Sequence, residues 1–156
     1  MEILLLSIGK ISFRWIQEGI EEYEKRLKRY INFNAKYIPD IKKKSITPQQ
    51  QKEEEGKLLI KEFNDSDLVC LLDERGKEKT SVEFSDYIEK IMTTGRKRLV
   101  FVIGGPYGFS REVYDRADSL FSLSKLTMTH EMAKLFFTEQ IYRCMTILKG
   151  EPYHHV

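Results

Sequence analysis

The chain has 156 residues and a formal net charge of +2, the size of one domain with a sizeable core. So small a net charge excludes binding to nucleic acid by the overall field, although a local basic patch can still hold phosphates. The two cysteines, Cys70 and Cys144, sit apart in apolar surroundings; their spacing excludes a zinc site or redox pair, so no metal is expected and both read as small buried hydrophobes.

In chain order, residues 2–8 are largely apolar and predict a buried strand, ended by Gly9-Lys10. Ile16, Ile20, Tyr23, Leu27 and Tyr30 recur at helical spacing, predicting an amphipathic helix from residue 12 to about 30 with Ser12 as its cap. Residues 35–38 predict a short strand stopped by Pro39-Asp40. Lys25, Arg26, Lys28, Arg29, Lys36, Lys42, Lys43 and Lys44 crowd this region, either as a solvated face or as a phosphate-binding patch. Thr47-Pro48 opens a helix, threonine as N-cap and proline at the first helical position, with Leu58, Leu59 and Phe63 as its apolar face.

Residues 68–72 form a third apolar run, followed by the expected turn Asp73-Glu74-Arg75-Gly76-Lys77. Residues 81 to about 94 read as a helix with Phe84, Tyr87, Ile88 and Ile91 on one face and Gly95 as its stop. Residues 99–103 are an unbroken apolar strand, and Ser110 caps a short helix to residue 115. Residues 119–123 predict a fifth strand, and residues 130–149 a long helix closed by Gly150. Alternating strands and helices predict an α/β domain with a mostly parallel sheet, spanning 1–156 without linker or repeat. No stretch approaches about 18 apolar residues and no signal peptide is visible, so a reducing cytoplasmic setting is expected.

The chemistry concentrates between Arg98 and His130. The strand at 99–103 runs into Gly104-Gly105-Pro106-Tyr107-Gly108, where missing side chains let backbone approach a neighbour closely. About twenty residues on comes Leu123-Ser124-Lys125-Leu126-Thr127-Met128-Thr129-His130. Two polar-tipped segments at strand ends make a ligand crevice in an α/β fold. No Walker loop and no Gly-x-Gly-x-x-Gly is present, which removes the usual support for nucleotide triphosphate or dinucleotide binding. His130 is a base, a ligand or a structural hydrogen-bonding group. Glu139 and Arg143 stand four apart and are expected to pair, with a phosphate as an alternative partner for Arg143. Tyr153-His154-His155 follow the last helix, where chain ends are ordinarily idle.

Taken together, several segments resemble one bacterial family. They are the opening strand with Gly9-Lys10, Glu22-Tyr23-Glu24-Lys25-Arg26-Leu27, Glu53-Glu54-Glu55-Gly56, and Leu72-Asp73 with Gly76-Lys77. Phe101-Val102-Ile103-Gly104-Gly105 with Gly108, Leu123 to Thr127, His130, Glu139-Gln140-Ile141-Tyr142-Arg143 and Tyr153-His154 complete the set. The chain is similar over its whole length to the RlmH family of large-subunit rRNA pseudouridine N3-methyltransferases, of the SPOUT class. That resemblance implies a C-terminal trefoil knot, a homodimer, and S-adenosyl-L-methionine as cofactor. The implied substrate is a pseudouridine of 23S rRNA on the assembled ribosome. The readings weighed against it are a SPOUT methyltransferase acting on tRNA and a non-catalytic ribosome-binding protein.

Carried over by position, the resemblance implies cofactor contacts at Leu72, Gly104, Gly105, Leu123, Ser124, Lys125, Leu126, Thr127 and Met128. It implies His130, Tyr153 and His154 as the residues that position the base or take its proton, and Arg143, Tyr153 and His154 as RNA contacts. Two positions depart from the family pattern. Thr129 stands where proline is common, which is expected to loosen the start of the helix, and His155 stands where a basic residue is usual.

Overall fold

The computed structural model describes residues 1–155; residue 156, the last of the expected domain, lies outside them. Five strands form one sheet in the order β2-β1-β4-β3-β5, and every pairing between them is parallel. The strands are β1 (Glu2–Ile8), β2 (Asn32–Ile38), β3 (Leu68–Lys77), β4 (Arg98–Ile103) and β5 (Ser119–Phe121). The helices are α1 (Arg14–Leu27), α2 (Pro48–Ile60), α3 (Ser81–Met92), α4 (Arg111–Arg116) and α5 (His130–Leu148).

Side chains of a strand alternate between its faces, and the two cores follow that period. Ile3, Leu5, Leu99, Phe101 and Ile103 pack on one face with Leu27, Phe84, Ile88, Phe137 and Ile141, from α1, α3 and α5. Leu4, Leu6, Ile8, Val100 and Val102 pack on the other with Leu59 of α2 and Val113 of α4. Both faces are therefore covered, which is why β1 and β4 read as continuous apolar runs.

Four expectations are corrected. Ser12 does not cap α1: the residue before the helix is Phe13, without a side-chain cap, and Ser12 instead donates to Glu131 from its backbone N–H at 2.5 Å and its hydroxyl at 2.9 Å. β2 begins at Asn32, three residues before the apolar pattern does, because its half-exposed edge alternates polar and apolar residues. The segment 73–77 is not a turn but the irregular end of β3, whose pairing with β5 resumes at Lys77–Phe121. Thr129 does not loosen α5; its hydroxyl accepts from the Met132 N–H at 3.2 Å and caps the helix. The Thr47 and Ser110 caps stand as expected, Thr47 in a reciprocal capping box with Gln50. β5 and α5 are each shorter than their patterns by one or two residues.

Candidate functional site

A cleft of about 820 Å³ opens beyond the C-terminal ends of β3 and β4, a size that holds a cofactor-scale ligand. Its walls are Leu72 from β3, the Gly104–Gly108 turn after β4, the β5–α5 connection and His130 at the start of α5. Of the residues singled out in the sequence, Leu72, Gly104, Gly105, Leu123, Ser124, Leu126, Thr127, Met128 and His130 line it, and Lys125 does not. Within the β5–α5 connection the Ser124 hydroxyl accepts from the Leu126 N–H at 3.0 Å. Leu126 is 81% exposed, a large apolar side chain offered to whatever enters the cleft.

The glycines have a reason beyond the one expected. A Cβ on Gly105 would stand 2.1 Å from Oε2 of Glu55, and one on Gly104 would stand 3.1 Å from the Phe109 ring. Both positions are therefore small because the chain packs against itself behind the cleft. Glu55 is 1% exposed and its Oε2 has no hydrogen-bond partner. Burial pushes its pKa up, assisted by the charge of Asp40 and opposed by a bond from Gln51.

The start of α5 is fixed by three tethers. Glu131 accepts from the Phe13 N–H at 3.0 Å as well as from Ser12, so a carboxylate supplies the missing α1 cap from another helix. Lys134, only 1% exposed, donates to the Gly9 carbonyl at 2.7 Å and lies 5.2 Å from the Tyr37 ring centroid. Burial lowers the Lys134 pKa. Burial also lowers the His130 pKa, against a hydrogen bond with the Gly104 backbone, so at neutral pH its imidazole is the neutral form.

Sequence reasoning missed a second group in the cleft. Tyr114 donates to Asp73, and Arg75 donates to Tyr114 while its guanidinium sits 4.6 Å over the same ring. The Asp73 side chain is 8% exposed. Burial raises its pKa, but the Tyr114 and Arg75 hydrogen bonds outweigh that and hold it below the usual carboxylate range. The available signal was an aspartate directly after a buried strand, where α/β sheets present their ligand-binding groups.

The tail forms a separate cluster. Arg143 donates to Glu139 at 2.6 Å, as the spacing predicts, and lies 3.3 Å from Nδ1 of His154. Tyr153 donates to Glu139 at 2.9 Å, beneath the Arg143 guanidinium at 4.7 Å. Burial pushes the Tyr153 phenol well above its ordinary pKa, with Tyr23 and Glu139 adding to the effect; at neutral pH it is a donor, not a proton acceptor. None of the cleft-lining residues lies beyond Ala133. Glu139 stands nine residues along α5 from His130, about 13 Å at 1.5 Å per residue. The chain thus carries two groups of predicted site residues that do not meet.

Half of the eight cations of the basic region are paired from within, while Lys25, Lys28, Lys42 and Lys44 have no ion pair among the described residues. Arg26 pairs with Glu22, Arg29 with Glu151, Lys36 with Glu62 and Lys43 with Glu54. Among the described residues no helix is long and apolar enough to cross a membrane.

Comparison with known proteins adds three findings. Residues 1–154 match the family described as predicted SPOUT methyltransferase. The chain is 56% identical over 156 residues to the ribosomal RNA large subunit methyltransferase H of Christiangramia forsetii, covering 99% of both chains. It is 54% identical to the protein of that name from Parabacteroides distasonis and 50% to that of Bacteroides fragilis, again with 99% of both chains covered.

Proposed function

The chain belongs to the SPOUT methyltransferase family, and on that premise we propose that it methylates N3 of a pseudouridine in 23S rRNA on the assembled ribosome, with S-adenosyl-L-methionine as the donor. The observation that carries this reading is the cleft beyond β3 and β4, into which the separated segments around Leu72, Gly104 and Leu123 to Met128 all converge. The cleft fits the donor in kind. Leu72, Leu126 and Met128 offer apolar surface for a flat heterocycle, and the backbone of Gly104 and of the β5–α5 connection offers donors and acceptors for its polar edges. The donor, when bound, supplies an activated methyl on a sulfonium.

The protein's part is to orient, desolvate and handle the acceptor's proton. In this reading His130, neutral and lining the cleft beside Gly104, is the imidazole placed to accept a proton. Tyr153 stays protonated and so orients a base by its ring and hydroxyl, while Arg143 and His154 hold phosphate or base edge. Because the tail lies away from its own cleft, a complete site draws the tail cluster from a second copy of the chain. A homodimer is therefore part of the proposal, together with the C-terminal knot that the family resemblance implies. Phe13 and Trp15 support it. Their rings lie 5.8 Å apart and are 53% and 57% exposed, on a segment bonded to Glu131 of α5, the helix that also exposes Met132 and Phe136; exposed apolar surface is of the kind that self-association covers.

The test is single-turnover transfer of labelled methyl from S-adenosyl-L-methionine to ribosomes lacking the modification, with mass mapping of the product. Leu126→Asp, which replaces an 81% exposed apolar side chain of the cleft wall with a charge, should fold and lower donor affinity by at least about tenfold. Transfer to tRNA instead, or no transfer with intact donor binding, would replace this reading with one of its rivals.

A further inference from the structure

A second cavity of about 420 Å³ lies beside the cleft, over the edge formed by β3 and β5. It exists because β3 continues past Leu72. Gly76 crosses β5 so closely that a Cβ there would stand 2.6 Å from the Phe121 nitrogen, and the Ser122 N–H donates to the Lys77 carbonyl at 3.1 Å. That clamp sets Arg75 and Lys77 on the rim, and Lys79 follows. Arg75 lines both this cavity and the cleft and is the wall they share.

Among the described residues this cavity is lined by Arg75, Lys77 and Lys79 and by no carboxylate, whereas the cavity beside Lys43 and Lys44 in the other basic region is lined also by Glu53 and Glu54. Arg75 pairs with Asp73, but no ion pair engages Lys77 or Lys79 among the described residues. The nearby Asp118 carboxylate is occupied by the Val69 N–H at 2.7 Å and by Arg116. Lys79 lies 5.5 Å from the Tyr87 ring centroid. At the floor the Tyr87 and Ser119 hydroxyls share a hydrogen bond of 3.2 Å above the buried Cys70. Free ammonium groups on the rim suit phosphates. A floor with an aromatic ring and two hydroxyls suits a base edge.

We propose that this cavity is a second RNA subsite, taking a nucleotide adjacent to the methylated one, with Lys77 and Lys79 on its phosphates. The proposal rests on the rRNA-methyltransferase reading and extends it to how the strand is held. Each single-stranded phosphate contact contributes about 0.7 to the slope of log affinity against log salt. Lys77→Gln/Lys79→Gln therefore lowers that slope by about 1.4 in binding to ribosomes lacking the modification, between 50 and 200 mM salt. Calorimetric affinity for S-adenosyl-L-methionine stays unchanged, because neither lysine lines the cleft.

The control is Lys42→Gln/Lys44→Gln, which removes the same charge from the other basic region. An unchanged slope in the Lys77/Lys79 variant, or an equal fall in the control, overturns the subsite. In either case methyl transfer by the unaltered protein leaves the parent reading standing. Failure of the unaltered protein to methylate ribosomes overturns the parent reading and this inference with it.

Discussion

Replacing Gly105 with alanine probes the wall behind the cleft. The added Cβ would stand 2.1 Å from Oε2, 2.7 Å from Cδ and 2.8 Å from Oε1 of Glu55, far inside any carbon–oxygen contact. The carboxyl has nowhere to withdraw, being 1% exposed. Nor can its helix move back, because a Cβ at the adjacent Gly56 would stand 2.2 Å from Ser110 Oγ, so α2 already touches the start of α4. The cost is that of an overpacked core, about 1–3 kcal/mol. For a chain of this length each 1 kcal/mol moves Tm by about 2–4 °C, so Gly105→Ala should melt about 2–12 °C low by circular dichroism. Glu55→Ala removes both the obstacle and an unpartnered buried oxygen, so Gly105→Ala/Glu55→Ala should recover most of the loss, with a coupling of about 1–3 kcal/mol. Two single effects that add to within about 0.5 kcal/mol would mean that Glu55 does not set the size limit at position 105.

Glu55→Gln should also change the pH dependence of stability. The raised native pKa means the folded state binds more protons, so the native side chain costs stability as pH climbs above its ordinary value of 4.5; Tm against pH should lose that downward component, and an unaltered profile would refute it. Arg98→Met strands Asp67, whose side chain is 2% exposed; burial alone would raise the Asp67 pKa, but Arg98 and the Asn64 N–H hold it down. The loss should be about 2–4 kcal/mol by urea denaturation at pH 7, discounted because Arg98 keeps some solvent. It should shrink as pH falls below 3.8 and through the lower native pKa of Asp67, beneath which the carboxyl is protonated in both states and the ion pair is gone. Deleting the residues after Pro152 should preserve donor binding while slowing single-turnover methyl transfer at least about tenfold, roughly 1.4 kcal/mol; an unchanged rate would make the tail idle. Light scattering should report a dimer at micromolar concentration for the unaltered protein and a monomer for Trp15→Glu, and a monomeric unaltered protein would remove the composite site.

The element order was legible because the core strands are buried on both faces and the helix starts carry local chemistry, as Thr47 and Ser110 do. Errors arose where a distant partner decides the structure. Ser12 has the right chemistry for a cap, yet Glu131, more than a hundred residues away, takes its place. The polar run after Leu72 reads as a turn, yet pairing with β5 extends the strand. For the site, the segments that line the cleft were visible as glycines and polar-tipped strand ends. The Asp73–Arg75–Tyr114 group, the tethers from Lys134 and the separation of the tail from the cleft depend on three-dimensional closure, for which a single sequence holds no periodic signal.

The reach of Glu131 across 119 positions to Ser12 sets an order on how the molecule is made. At roughly 5–20 residues per second, synthesis separates the two by about 6–24 s. For most of that interval the residues of the first helix exist without the carboxylate that secures its first turn. β1 waits as well, since its register with β4 joins Glu2 to Arg98. The central ladder and the first helix are therefore completed only as the C-terminal half arrives, and the nascent chain holds an unpaired edge on β1 until β4 is made and a bare sheet face until its last helix docks.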